Sequence, residues 1–165
     1  MNVQPDYAKL AKIKQHFEGF RSEAYQDTGG VWTIGIGSTY HHDKGRKVRA
    51  GDIIGMQTAI KWMERDIAGF IAQLNQYIKV PLNPDQSAAL VDYVYNRGIG
   101  NFLRTQLDEL VNANPIDPRI REEIIGTGIK DRAGNLLWGL GRRRMAEAHL
   151  YFTGQLKFDW PRWGE

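Results

Sequence analysis

Between Glu18 and Ser38 the chain changes its hydrophobic period, and that change constrains its fold more than any other feature. Before it, Tyr7, Leu10, Ile13 and Phe17 recur at spacings of three and four, with Asp6 placed to cap the helix they define and Gly19 to end it. In the stretch EGFRSEAYQDTGGVWTIGIGS the helical spacing is gone. Ala24 and Tyr25 lead into Asp27-Thr28-Gly29-Gly30, which is turn chemistry, and Val31-Trp32-Thr33-Ile34 follows, β-branched and aromatic. The order predicts a hairpin over residues 20 to 36, whose glycines supply the positive φ of a tight reversal. The first helix therefore delivers Glu18 to its own C-terminus, directly before a small sheet.

The remainder reads as helices. Residues 41 to 52, HHDKGRKVRAGD, are polar, basic and aperiodic, and are expected to form a solvated loop or irregular strand. From about 56 to 77, Ile60, Met63, Ile67, Phe70, Ile71 and Leu74 keep a helical period long enough to join two lobes, and Pro81 stops it. A new helix opens with Asn83 as cap, Pro84 in the first turn and Gln86 three residues after the cap, and Gly98 terminates it. Further helices are expected over 101 to 111, 119 to 125 and 139 to 152, the last ended by Gly154, with a loop at 126 to 135. The fold class is α+β, mostly helical. The chain is one domain, with a small lobe at about 18 to 55, a linking helix at about 56 to 77, and a helical lobe at about 81 to 165 that includes the first helix.

With 165 residues, 42% hydrophobic and 25% charged, the chain can bury about 70% of its unfolded surface as a single globular unit. Its net charge of +3 suits an anionic polymer such as nucleic acid or bacterial wall without demanding one. The absence of cysteine excludes disulfides, thiolate metal sites and cysteine nucleophiles. No continuous apolar segment follows the N-terminus and no run of eighteen apolar residues occurs, so a protein made in the cytosol without signal peptide or membrane span is expected.

Glu18 and Asp27 are nine apart, which puts them on opposite sides of any one regular element, so they can cooperate only across a reversal of the chain. The hairpin provides it, with Thr33 returning within a hairpin width of Asp27. Splitting a glycosidic bond needs one carboxyl that keeps its proton and one that has lost it. The partial negative charge of a helix C-terminus and the neighbours Phe17 and Phe20 favour the neutral acid at Glu18. A turn rich in N–H donors favours the ionised form at Asp27, and Thr33 offers a hydroxyl to hold a water. By spacing alone, a Glu at a helix end and an Asp opening a turn are also common structural placements.

The pattern E-x8-D-x5-T, filled by Glu18, Asp27 and Thr33 and followed by IGIG, resembles the catalytic signature of the phage-type lysozymes or endolysins of the T4 phage lysozyme family, glycoside hydrolase family 24. YNRGIGNFLRT at 95 to 105 is similar to that family's Asn-x-Gly…Phe-x-x-Ser/Thr segment, and GLGRRRMAEAHLYFTG at 139 to 154 to its Gly-Leu-x-x-Arg-Arg-x-x-Glu helix. The resemblance implies a lysozyme-like fold, with a hairpin lobe joined by a long helix to a helical lobe. It implies hydrolysis of the β-1,4 bond between N-acetylmuramic acid and N-acetylglucosamine in peptidoglycan, with no metal and no cofactor. It also implies inversion at the anomeric centre, and hence a carboxyl separation in the range of about 6.5 to 9.5 Å. Glu18 would protonate the leaving oxygen while Asp27 and Thr33 guide a water to the opposite face.

The same resemblance places Arg143 as an ion pair orienting Glu18, with Arg142 and Arg144 read as the solvated face of their helix. Tyr95, Asn96 and Thr105 match positions that bind substrate in relatives, and each equally suits helix-end packing or capping. Departures are Ser38, where many relatives have His, Arg97, where an apolar residue is usual, and the basic loop from Lys44 to Arg49, which could attract anionic wall polymer or stay inert surface. Implied partners are glycan strands, with a monomer released to the wall by a holin lesion.

Rival readings are weaker. Adjacent His41 and His42 lack a completing carboxylate set and read as a surface loop, so no metal is expected. The arginines of the last helix are offset by Glu147, and no nucleic-acid partner is expected. The apolar side of that helix reads as core rather than as a membrane-disturbing face. A lytic transglycosylase would need one Glu and no base, against the presence of Asp27 and Thr33, and an inactive wall-binding module is the other alternative.

Overall fold

The computed structural model describes residues 1–131 and 133–162. In chain order the elements are α1 (Tyr7–Glu18), β1 (Arg21–Gln26), β2 (Trp32–Gly35), β3 (Tyr40–His41), a 3-10 turn (His42–Lys44), β4 (Arg46–Lys47), α2 (Met56–Tyr77), α3 (Pro84–Arg97), α4 (Ile99–Phe102), α5 (Leu107–Ala113), α6 (Arg119–Gly126) and α7 (Trp138–Thr153). The chain divides into two compact units, Ala11–Gly69 and the combination of Met1–Leu10 with Phe70–Glu165.

The unit from Ala11 to Gly69 carries the sheets. β1 and β2 pair antiparallel with Arg21 opposite Gly35, Tyr25 opposite Thr33 and Gln26 opposite Trp32, and the register shifts between Arg21 and Tyr25. On its other side β1 is tied to the segment before α2, through Ala24 N–H to Asp52 O and Ile54 N–H to Ser22 O, both 2.9 Å. A core of Ile34, Ile36, Val48, Ile54, Ala59 and Trp62 closes beneath, with Phe20, Ala24 and Trp32 packed against it. Gly35 is required there. Its φ is +69°, and a Cβ would lie 2.9 Å from Ala59 Cβ and 3.0 Å from Ile54 Cδ1.

Of the solvated loop or irregular strand expected over residues 41 to 52, it is the irregular strand that is observed, largely exposed but with three residues turned inward. The segment forms β3, the 3-10 turn and β4, and buries His41, Val48 and Asp52. Asp52, 4% exposed, is the anchor of the segment. Arg46 donates to both of its oxygens at 2.6 and 2.8 Å, the Arg49 amide donates at 3.0 Å and Lys44 Nζ at 3.3 Å. Two of the cations that could have drawn an anionic polymer are thereby engaged. His41 stacks on Trp62 with ring centroids 4.6 Å apart.

The other unit is helical. α3 packs along α7, which also meets α6, over a core that includes Leu90, Tyr93, Val94, Phe102, Ile120, Ile124 and Leu150. The expected capping box is present: Asn83 Oδ1 accepts the Gln86 amide at 2.8 Å, and Gln86 Oε1 accepts the Asn83 amide at 3.1 Å. At the chain's start, Asp6 Oδ1 accepts the Lys9 amide at 3.0 Å. The single helix expected over 101 to 111 is instead two, α4 and α5, broken around Thr105. The Thr105 hydroxyl donates to Phe102 O at 2.6 Å and accepts the Leu107 amide at 3.1 Å, so it closes one helix and starts the next.

Arg144 also departs from the sequence expectation. It is fully buried rather than on a solvated face, because Glu147 and Asn96 accept from its Nη2 at 2.7 and 2.8 Å and the Tyr93 ring lies 4.6 Å below its guanidinium. Arg142 is half-buried and donates to Phe158 O at 3.0 Å. Burial opposes charge on both Arg144 and Glu147, lowering the first group's pKa and raising the second's, while their mutual attraction counters it.

Candidate active site

Glu18 is the last residue of α1 and is half-buried. Gly19 follows at φ +62°, a left-handed turn that ends the helix and lets β1 begin at Arg21. Asp27 opens the hairpin turn and is solvent-exposed. Its Oδ1 accepts the amides of Gly29 and Val31, both at 2.8 Å, while its own amide and carbonyl pair with Val31 O at 3.0 Å and Gly30 N–H at 2.9 Å. A Cβ at residue 29 would come within 3.3 Å of that Oδ1, so glycine suits the close approach. One carboxylate oxygen thus orients the side chain, and among the described residues Oδ2 makes no hydrogen bond.

Thr33 is 5% exposed and donates its hydroxyl to Val31 O at 3.0 Å. With the hydrogen engaged, the oxygen is left as an acceptor. Both Asp27 and Thr33 are therefore anchored on Val31, one by its amide and one by its carbonyl.

Tyr25, opposite Thr33, links the two carboxylates electrostatically. Burial raises its phenol above the usual value, the negative charge of Glu18 raises it further, Arg21 opposes, and Asp27 adds to the rise. A single side chain senses both acids. Sequence reading did not single out Tyr25. The available signal was strand period, since it stands two residues before Asp27 on β1.

The remaining expected site residues lie in the helical unit. Arg143 is buried and grips Asp92 with Nε and Nη2, both at 2.9 Å, and lies 3.5 Å from Glu147. Tyr95 packs its ring 5.6 Å from that of Phe70. Asn96 Oδ1 is taken by Arg144, which turns the amide nitrogen the other way. Thr105 is engaged at the α4–α5 break. Among the described residues no group of three or more His, Asp or Glu is arranged to hold a metal ion, and His42 turns from His41 to meet Asp66 Oδ1 at 2.8 Å.

The phage lysozyme family model matches residues 15–147, which contain the helix end, the hairpin and most of α7. The chain belongs to the phage lysozyme family. It is accordingly a lysozyme, a peptidoglycan-hydrolysing enzyme of the endolysin kind, and nothing favours the transglycosylase or inactive-module alternatives. The endolysin of Acyrthosiphon pisum secondary endosymbiont phage 1 is 34% identical over 143 residues, covering 86% of this chain and 93% of the relative. Among solved structures, the endolysin from Escherichia coli O157:H7 phage FAHEc1 superposes with a TM-score of 0.81 at 30% identity, covering 95% of this chain and 98% of the other. The muramidase domain of SpmX from Asticaccaulis excentricus does so with a TM-score of 0.74 at 25% identity, covering 88% and 95%. The mostly helical, lysozyme-like α+β fold expected from the sequence is the fold observed.

Proposed function

We propose that this endolysin cuts the β-1,4 bond between N-acetylmuramic acid and N-acetylglucosamine by single displacement with inversion. Glu18 is the general acid, Asp27 the general base, and Thr33 holds the water. The observation that carries the assignment is the anchoring of Asp27 and Thr33 on Val31, which leaves one carboxylate oxygen and one hydroxyl acceptor unused on the same hairpin. A water that donates one hydrogen to Thr33 Oγ1 and the other to Asp27 Oδ2 has its lone pair directed outward. Glu18 gives its proton to the glycosidic oxygen as the bond to the anomeric carbon breaks. The water attacks that carbon from the opposite face, and its proton passes to Asp27. Such a path needs the two carboxyls about 6.5 to 9.5 Å apart, leaving room for the water.

Arg143 is proposed as the ion-pair partner that orients Glu18, and Tyr95, Asn96 and Thr105 as substrate-binding positions. The arrest of Asn96 by Arg144 favours the use of its amide hydrogens toward acetamido or hydroxyl oxygens. The protein is proposed to act as a monomer on the wall after synthesis in the host cytoplasm and release through a holin lesion. No described helix is long and apolar enough to cross a membrane.

The test is release of reducing sugar from purified peptidoglycan by wild type, Glu18→Gln and Asp27→Asn. Each substitution is expected to lower kcat by about 10²- to 10⁴-fold without loss of thermal stability. Wild-type products ending in anhydro sugars, or variants as active as wild type, would defeat the assignment.

A further inference from the structure

Tyr25 has no task in the mechanism above, yet it stands in the middle of that machinery. It faces Thr33 across the hairpin and stands two residues before Asp27, which opens the turn of the same hairpin. Arg21, four residues earlier on β1, lies with Cζ 4.4 Å from the centre of the Tyr25 ring. Residues Phe20 to Tyr25 line a groove of about 490 Å3 along the strand, beginning two residues after Glu18.

The chemistry on offer follows from those contacts. One face of the ring is covered by a guanidinium, so that face is closed to a sugar. The hydroxyl remains. It makes no hydrogen bond among the described residues, although the side chain is half-buried. Burial and the two nearby acids hold the phenol in its protonated form, so it is a donor and not a base. A glycan supplies the missing acceptor, since every residue of the strand carries hydroxyl or acetamido oxygens.

We propose that Tyr25 is a substrate-contacting residue of this site, its hydroxyl, steadied by Arg21, donating a hydrogen bond to an oxygen of the glycan bound beside Glu18 and Asp27. The proposal rests on the glycosidase reading of those residues. It adds a neutral donor on the hairpin beside the two carboxyls and the hydroxyl acceptor.

Tyr25→Phe keeps the ring and its contact with Arg21 and removes only the hydroxyl. On purified peptidoglycan its kcat/KM is expected to fall about tenfold, the worth of one neutral hydrogen bond. Its thermal midpoint and the limbs of its pH–rate profile should match wild type. In a Glu18→Gln background, binding of soluble glycan strands should weaken by a similar factor when Tyr25→Phe is added. Arg21→Met should give a smaller loss, expressed mainly in KM. A Tyr25→Phe enzyme with wild-type kcat/KM, or one whose activity falls only as its stability falls, overturns this proposal alone. A wild type that releases no reducing ends overturns the glycosidase reading, and the proposal with it.

Discussion

Ser38 donates its hydroxyl to Asp66 Oδ2 over 2.6 Å, and the other oxygen of that carboxylate lies 2.8 Å from His42 Nε2. One acid on α2 therefore ties down both the turn after β2 and the 3-10 turn after β3. His42 thus brings an imidazole to Asp66 from four positions beyond Ser38. Because Asp66 serves both partners, Asp66→Ala should destabilise the protein by about 1–3 kcal/mol, more than Ser38→Ala or His42→Ala alone. Urea denaturation of the three variants measures this. Equal losses for all three would show that the contacts do not share an anchor.

A second carboxylate makes the fold acid-sensitive. The hydrogen bonds from Arg46 hold the Asp52 carboxyl well below the usual carboxylate range; burial opposes this, and the Arg49 amide and Lys44 reinforce it. The folded value lies below the unfolded value of about 3.9, so the ionised form stabilises the fold above about pH 5, and the contribution is lost as pH falls toward the folded value. The difference in thermal midpoint between wild type and Asp52→Asn should stay level from about pH 8 to 5 and shrink below about pH 4. A difference that grows on acidification would refute the ion-pair account.

Gly35 is expected to tolerate no side chain. At φ +69°, with Ala59 Cβ and Ile54 Cδ1 within 3.0 Å of a new methyl, Gly35→Ala combines backbone strain with overpacking. The cost should be about 2–4 kcal/mol by chemical denaturation. Gly30 has a similar φ of +78° but nothing within 4 Å, so Gly30→Ala should cost less.

Stereochemistry tests the roles of Glu18 and Asp27 independently of mutagenesis. Direct attack of water on a β-linked anomeric carbon yields an α-configured reducing end first, before mutarotation. Proton NMR of the earliest product is expected to show it. A β-configured first product would mean that Asp27 forms a covalent intermediate, and the carboxyl separation would then have to be the shorter one of about 5 Å.

Much of the fold follows from local chemistry. Asp6, the Asn83-Gln86 box, Pro81, Gly19 and Gly154 act on backbone groups within four residues of themselves, and the helix and hairpin limits they predict match the observed ones closely. Thr105 shows where local reading fails: its hydroxyl can cap a new helix or ride on a continuing one, and the pattern over 101 to 111 does not distinguish these. Arg144 shows a different failure. Its burial depends on Asn96, 48 positions away, just as Arg143 depends on Asp92, 51 positions away.

The sequence by itself determined the order and kind of elements, and singled out Glu18, Asp27 and Thr33 as the candidate acid, base and water-holding residue, because these are carried by short-range periodicity and a tight motif. Only the tertiary structure decided which charges go inside, which oxygen of Asp27 stays without a hydrogen bond among the described residues, and that Tyr25 feels the charge of both acids. Those outcomes depend on partners brought together by folding, and the free energy of a charge or a hydroxyl is set by those partners rather than by its neighbours along the chain.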